Sequence, residues 1–252
     1  MQLTFLGTGT SAGVPELGCT CNVCLSENPK DKRTRSSLLI ETNDRKLLID
    51  CGPDFRHQAI REGFSSVDAL LLTHAHFDHI AGIEEMRPLT RHKALPVWCD
   101  TYVANQLKNR LAYCFQMTGT GYAAEMHLHE FDSSPFELLD LCIQPIRLMH
   151  HRLPIYGFRI DKLAYLTDFT EISEEELQKL EGVEYLIIES LRQTSHIAHI
   201  SMPQALSLIG RIGAQQSWLI HMNHQFGLHD EIQDQLPENV TIAYDGLKVQ
   251  ID

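Results

Sequence analysis

The segment Thr73-His74-Ala75-His76-Phe77-Asp78-His79 places three imidazoles and one carboxylate within positions 74 to 79. Nitrogen and oxygen donors at that density can hold divalent cations, and they suit zinc, manganese or iron without choosing among them. A solvated histidine-rich turn would use the same residue types, but this cluster directly follows the apolar run Ala69 to Leu72, where a strand end can hand its side chains to a cleft. If the extended geometry persists, His74 and His76 point to one side and the next turn redirects Asp78 and His79, which suits two neighbouring cations. A second cluster, Cys19-Thr20-Cys21-Asn22-Val23-Cys24, has the spacing C-x-C-x₂-C. Three thiolates so close can wrap a tetrahedral zinc but need a fourth ligand, for which His224 in His221-Met222-Asn223-His224 is the candidate. Such a zinc would be structural rather than catalytic.

Strand-length apolar runs must position these groups. They cover Leu3 to Leu6, Ser37 to Glu41, Lys46 to Asp50, Ala69 to Thr73, Leu163 to Thr167, Tyr185 to Glu189 and Ser217 to Ile220, with a further alternating run at Leu247 to Ile251. Helical patterns lie between several of them: Ser173 to Glu176 reads as a capping box opening a helix to about Glu181, and Ser201 with Gln204 opens another through Ile212. Alternation of strands and helices predicts an α/β layered domain. Asp50, His74, Asp168, Glu189 and His221 all fall at or just beyond the end of an apolar run. Gly7-Thr8-Gly9-Thr10-Ser11-Ala12 formally fits a loose dinucleotide pattern, but Gly13-Val14-Pro15 does not start the helix that fingerprint requires, so it reads as a loop near the site.

With 252 residues and 43% hydrophobic content, the default is one domain spanning 1–252. Gly7 and Gly9 interrupt the first apolar stretch, and no run has the length of a membrane span, so no secretory leader or membrane partner is expected and the chain is read as cytoplasmic. Seven cysteines, an odd number, favour metal binding or burial over a disulfide framework. The net charge of −12 argues against a broad nucleic-acid surface, because phosphate neutralisation needs clustered Lys and Arg, but coordinated cations can still favour a small anion.

The H-x-H-x-D-H segment at 74 to 79 resembles the mark of the metallo-β-lactamase superfamily, and the resemblance runs over essentially the whole chain. It implies a four-layer αββα sandwich with two divalent metal ions, manganese or zinc with iron as a further option. Under it, Asp50 in Leu47-Leu48-Ile49-Asp50-Cys51-Gly52 would orient the metal loop. His74, His76 and His150 with Asp168 would complete one metal site, and Asp78, His79 and His221 with the same Asp168 the other. His151, beside His150, is the rival for that place. The cysteine cluster, Gly7-Thr8-Gly9 with Gly13-Val14-Pro15, His221-Met222-Asn223-His224-Gln225-Phe226 and Asp245-Gly246 are similar to the PhnP-type phosphodiesterases, which act on phosphoribosyl 1,2-cyclic phosphate. Cysteine clusters of this kind also occur in PqqB.

These readings together imply a dimetal hydrolase in which hydroxide from metal-held water attacks a small cyclic or alkyl phosphodiester. His199, in His196-Ile197-Ala198-His199-Ile200-Ser201, is the candidate to protonate the leaving alkoxide by similarity to the family, with His196 the rival. Residues 113–122 read equally as a flap over the substrate or as core. His57, His92, His127, His129 and His229 read as structural or surface residues. The competing functions are a transfer-RNA-processing nuclease of the same fold, a thioester or lactone hydrolase, a metal-dependent redox protein and a non-enzymatic metal-binding module. A homodimer is left open.

Overall fold

Strands form where the apolar runs lie. A computed structural model describes residues 1–91, 93–115 and 124–252. Its strands are β1 (Gln2–Gly7), β2 (Ser37–Thr42), β3 (Arg45–Ile49), β4 (Ala69–Leu71), β5 (Leu95–Asp100), β6 (Met126–Phe131), β7 (Phe136–Leu138), β8 (Leu141–His150), β9 (Leu153–Ile160), β10 (Leu163–Leu166), β11 (Glu171–Ile172), β12 (Tyr185–Glu189), β13 (Gln216–Ile220), β14 (Val240–Ile242) and β15 (Lys248–Gln250). Leu47, Leu48, Ile49, Ala69, Leu70 and Leu71 are all buried. Strands buried on both faces read as unbroken apolar runs, which is why β3 and β4 show no alternation.

The described residues cluster into two compact units. The first, Met1–Gly7, Arg35–Asp132 and Gly246–Asp252, holds a mixed sheet ordered β15-β1-β2-β3-β4-β5-β6. Its pairs are antiparallel from β15 to β3 and parallel from β3 to β6. Parallel neighbours need crossovers, and helices Phe55–Glu62 and Thr101–Arg110 lie on two of them. Leu6, Leu48, Leu70, Val97 and Leu107 belong to this unit's apolar core.

The second unit, Thr8–Thr34 and Ser133–Asp245, has its own mixed sheet ordered β11-β8-β9-β10-β12-β13-β14, with β7 beside β8. Strands β10, β12, β13 and β14 are parallel to one another, and helices Glu174–Gln178, Met202–Ile212 and His229–Gln233 cross between them. Ile146, Leu166, Ile188, Leu219 and Phe226 contribute to the core of this unit. Since β10, β12 and β13 run the same way, Asp168, Glu189 and His221 emerge at one edge of the sheet. Ligands of open α/β sheets bind at such carboxyl ends.

Two local expectations need correction. The helix after Ser173 stops at Gln178 rather than near Glu181. Ser173 still caps the Glu176 backbone N–H, but the Glu176 carboxylate accepts from the Arg147 backbone N–H at 2.9 Å and from Lys179 at 2.7 Å, so it does not close the box. At Ser201 the reciprocal box with Gln204 does form, and the helix runs Met202–Ile212 as the pattern indicates. The β8–β9 hairpin was not legible, because its mixed burial gives neither a clean alternation nor an apolar run. No helix among the described residues is long and apolar enough to cross a membrane.

Two close approaches hold loops in place. A Cβ on Gly52 would lie 2.1 Å from the Asp78 carbonyl oxygen, and the Cys51 backbone N–H donates to the His79 carbonyl at 2.7 Å. Only glycine lets these backbones meet. In the second unit the buried Arg33 guanidinium donates to Thr8 Oγ1 at 2.8 Å, to the Ala243 carbonyl at 2.6 Å and to His229 Nδ1 at 3.2 Å. Asp245 accepts from the backbone N–H groups of Thr8 and Thr34, at 2.9 and 2.8 Å. A guanidinium can only donate, so His229 must keep Nδ1 unprotonated. Burial, then the charges of Arg33 and Lys30, against Asp230 and Asp31, lower the His229 pKa to about 4.

Gly52→Ala should therefore cost about 1–3 kcal/mol, the range for forced overpacking, read as a lower denaturation midpoint; an unchanged midpoint would show that the loops slide apart freely. For His229 the folded value lies below the ordinary 6.5, so its contribution to stability is complete above about pH 6.5 and is lost as pH falls toward about 4. Denaturant titrations across that window should show the decline, and His229→Gln should flatten it; equal slopes in both proteins would remove His229 from the account.

Candidate functional site

In the first unit, β3 and β4 deliver Asp50 and the 73–79 segment. Asp50 is fully buried, and its carboxylate accepts from the Thr73 backbone N–H at 2.9 Å, from Thr73 Oγ1 at 2.9 Å and from His79 Nδ1 at 2.7 Å. Thr73 Oγ1 also lies 2.9 Å from His74 Nδ1. A hydroxyl has one hydrogen, and Thr73 gives it to Asp50, so it accepts from His74 Nδ1–H. Asp50 thus sets the tautomer of His79 directly and of His74 through Thr73, leaving both Nε2 atoms as lone-pair donors. The His74 ring centroid is 4.6 Å from that of His76 and 4.2 Å from that of His79. Asp78 and His79 are turned by the helical segment Phe77–Ile80, which starts after His76.

His79 Nε2 stands 3.3 Å from Asp78 Oδ2. With Nδ1–H committed to Asp50, two electron-rich atoms face each other there, an arrangement that a shared cation would stabilise. This donor chemistry fits a divalent metal.

In the second unit the same device recurs. Glu189, at the end of β12, is fully buried; its carboxylate accepts from the Phe169 backbone N–H at 2.5 Å and from His199 Nδ1 at 3.0 Å, and lies 3.5 Å from His221 Nδ1. Burial pushes Glu189 upward, but the bonds from His199 and His221 outweigh it and hold the carboxyl below its ordinary value. His221 Nε2 is 3.0 Å from Asp168 Oδ1. The His199 ring lies 4.8 Å from His150 and 5.1 Å from His221. Asp168, Glu189, His199 and His221 bring one potential ligand atom each within 4.8 Å of one another. His150 ends β8 beside His199, whereas His151 is exposed at the hairpin tip with φ 53°. Asp50, Asp168 and His221 have φ of 59°, 57° and 59°. Each is a non-glycine residue in the left-handed region, at a cost of about 1–3 kcal/mol, and such strain concentrates where function fixes the backbone.

The loop at 7–12 is paired through Gly9 with Met222, next to His221, and no helix follows it before Asn22. It is not a dinucleotide fingerprint. Cys19, Cys21, Cys24 and His224, all in the second unit, place their ligand atoms within 4.8 Å of one another. Both Cys19 Sγ and Cys21 Sγ lie 3.3 Å from His224 Nδ1, while His224 Nε2 is 3.1 Å from Glu16 Oε2. The Glu16 carboxylate accepts from the Nε2–H, which leaves the Nδ1 lone pair facing the sulfurs, as a metal-ligating histidine requires. The Cys24 backbone N–H foremost draws Cys21 down to about 6, whereas burial pushes Cys24 up to about 11. These residues fit a tetrahedral zinc.

His196 sits 5.3 Å from His199, and its Nδ1 accepts from the Ala198 backbone N–H at 3.2 Å. His57, His127 and His129 are exposed, with His129 stacked on Trp98, and His229 is buried against Arg33. His92 and, from the proposed flap, residues 116–122 lie outside the described residues. Sequence reasoning missed Thr73 and Glu16, and it marked Glu189 only as a strand-end acid. Position after an apolar run was the one signal available for Glu189; Thr73 and Glu16 carried none.

The profile of the β-lactamase superfamily domain matches residues 45–222, a stretch drawn from both units. A crystal structure described as a new diphosphatase from the PhnP family is 35% identical with a TM-score of 0.92, covering 98% of this chain and 96% of that one. An octanoyltransferase of Porphyromonas gingivalis is 44% identical over 100% of this chain and 52% of its own length. A ribonuclease Z of an Exiguobacterium species is 28% identical over 64% of this chain and 49% of its own length. The chain thus spans about half the length of these two curated relatives. Matched over most of its length and built on two mixed sheets with crossover helices, the chain belongs to the β-lactamase superfamily and has the α/β metallo-β-lactamase fold.

Proposed function

We propose that the chain is a metal-dependent hydrolase of small phosphoric esters. The observation that carries this reading is the Glu189–His199 pair, 3.0 Å apart and packed beside His150 and His221. An imidazole held by a carboxylate beside the candidate ligands, and not needed to complete either ligand set, is what proton transfer to a leaving group requires. His74, His76, Asp78 and His79 of the first unit and His150, Asp168 and His221 of the second would serve as ligands. Divalent cations held there would acidify water and offset charge on the phosphoryl oxygens.

His199 supplies the remaining proton. Its Nδ1–H donates to Glu189, which fixes the ring and leaves Nε2 as the acid. As the phosphorus–oxygen bond to the leaving group breaks, the Nε2 proton passes to that oxygen and His199 becomes neutral. Asp50 and Thr73 keep His74 and His79 in the tautomers that donate lone pairs. Cys19, Cys21, Cys24 and His224 would hold a zinc that ties the amino-terminal loop to the segment after His221. The net charge of −12 favours a small diffusible ester over a nucleic acid, and we read the site of action as the cytoplasm. The PhnP-family diphosphatase at 35% identity supports phosphate chemistry; the ribonuclease Z and octanoyltransferase relatives define the competing substrates.

Protein loaded with manganese or zinc should hydrolyse cyclic ribose phosphates, diphosphate esters or alkyl phosphodiesters and lose that activity to a chelator. Turnover confined to an octanoyl thioester or a structured RNA overturns the assignment. His199→Ala should lower kcat on an alkyl diester by about 100-fold or more, while a 4-nitrophenyl ester, whose leaving group hardly needs the proton, changes far less. Equal losses on both would remove the acid role. Cys21→Ser should lower both the bound zinc measured by elemental analysis and the Tm; unchanged zinc would dismiss the cysteine site.

A further inference from the structure

The segment between β12 and the helix Met202–Ile212 carries two histidines with opposite hydrogen-bond commitments. His199 faces a carboxylate: Nδ1 is 3.0 Å from Glu189 Oε2, so it bears the proton there and leaves Nε2 for transfer. His196 faces a backbone amide: the Ala198 N–H donates to its Nδ1 at 3.2 Å. An amide N–H cannot accept, so His196 Nδ1 is unprotonated and the neutral ring carries its one hydrogen on Nε2. To become an acid as strong as an imidazolium, His196 would have to take a proton on Nδ1 and break that bond. The two rings are 5.3 Å apart and inclined by 35°.

The segment is braced. Arg192 donates to the carbonyls of Thr194 and Ser195, at 3.2 and 2.6 Å, and to Gln225 Oε1 at 2.7 Å. His196 is half-buried rather than free on the surface. A braced, singly protonated imidazole beside a proton donor is suited to binding an oxygen that does not itself react.

We propose that His196 is a specificity residue whose Nε2–H holds a second oxygen of the leaving group, on the carbon adjacent to the one that bears the ester oxygen His199 protonates. This rests on the hydrolase reading above and narrows it: the preferred substrates are phosphoric esters whose leaving group carries an acceptor oxygen adjacent to the scissile one, as in polyols and sugars. Simple alkyl leaving groups leave the donor unmatched, and an unmatched donor costs affinity in the transition state.

Bis(2-methoxyethyl) phosphate and dibutyl phosphate form a suitable pair, since they differ by an ether oxygen in place of a methylene at that position. The metal-loaded wild type should favour the ether by about tenfold in kcat/KM, the scale of one hydrogen bond. His196→Phe, which keeps a ring without the donor, should erase the preference. His196→Gln, which restores an N–H near the Nε2 position, should recover part of it. The three proteins should carry matched metal and show matched Tm, and bis(4-nitrophenyl) phosphate, which has no oxygen at that position, should separate them far less than the ether substrate does; if the Phe variant does not fold, His196→Leu takes its place. A preference that survives in the variant lacking the donor overturns this role alone, whereas a wild type that cleaves no phosphoric ester overturns the hydrolase reading and this proposal with it. Nitrogen-15 spectra of the metal-free protein give an answer independent of turnover. They should show the Nε2–H tautomer at His196 and the Nδ1–H tautomer at His199, and an Nδ1–H tautomer at His196 would refute the assignment.

Discussion

Asp50 is a charged group with no exposure, placed one residue beyond a strand that is itself buried. A carboxylate in that position is tolerable only if its lone pairs are filled, and here Thr73 and His79 fill them from 23 and 29 residues away. The same bonds that satisfy Asp50 decide which nitrogen of each imidazole carries hydrogen. The ligand character of the 74–79 segment is therefore a consequence of solvating one buried acid. The close backbone approach of Gly52 to Asp78 completes the constraint, because the loop cannot shift without breaking into the β3 end.

The second unit repeats the solution with different residues. Glu189 is buried at a strand end, takes the Phe169 backbone N–H, and faces His199 and His221. In both units a parallel sheet brings carboxyl ends together, and a buried carboxylate there organises imidazoles that would otherwise be free to rotate or change tautomer. The left-handed backbones of Asp50, Asp168 and His221 are the local cost of turning sharply off a strand with a functional side chain.

Away from these centres, buried charge has a different use. Arg33 fills its donors on Thr8, Ala243 and His229, while Asp245 takes the backbone N–H groups of Thr8 and Thr34. Together they fasten the first loop of this unit to its last one. The Gly9–Met222 bridge and the Cys19, Cys21, Cys24 and His224 cluster join the same loop to the segment after His221. Three chemically distinct ties on one loop indicate that its backbone must be fixed where it passes His221.

Residue type and local spacing were enough to reveal His74, His76, Asp78 and His79, because a dense run of donors after an apolar strand is a property of neighbours in the chain. They were also enough for β3, β4, β10, β12 and β13, whose mostly buried residues leave unbroken apolar runs, and for the C-x-C-x₂-C cluster. The β8–β9 hairpin escaped because one buried and one partly exposed face blur the alternation. The opposite tautomers of His196 and His199 escaped for another reason. A hydrogen-bond partner is fixed by which distant groups the sheets bring within about 3 Å: Asp50 for His79, Glu189 for His199, Glu16 for His224. Sequence determined which donors exist; the tertiary structure decided which way each of them points, since direction belongs to pairs of residues and not to either one alone.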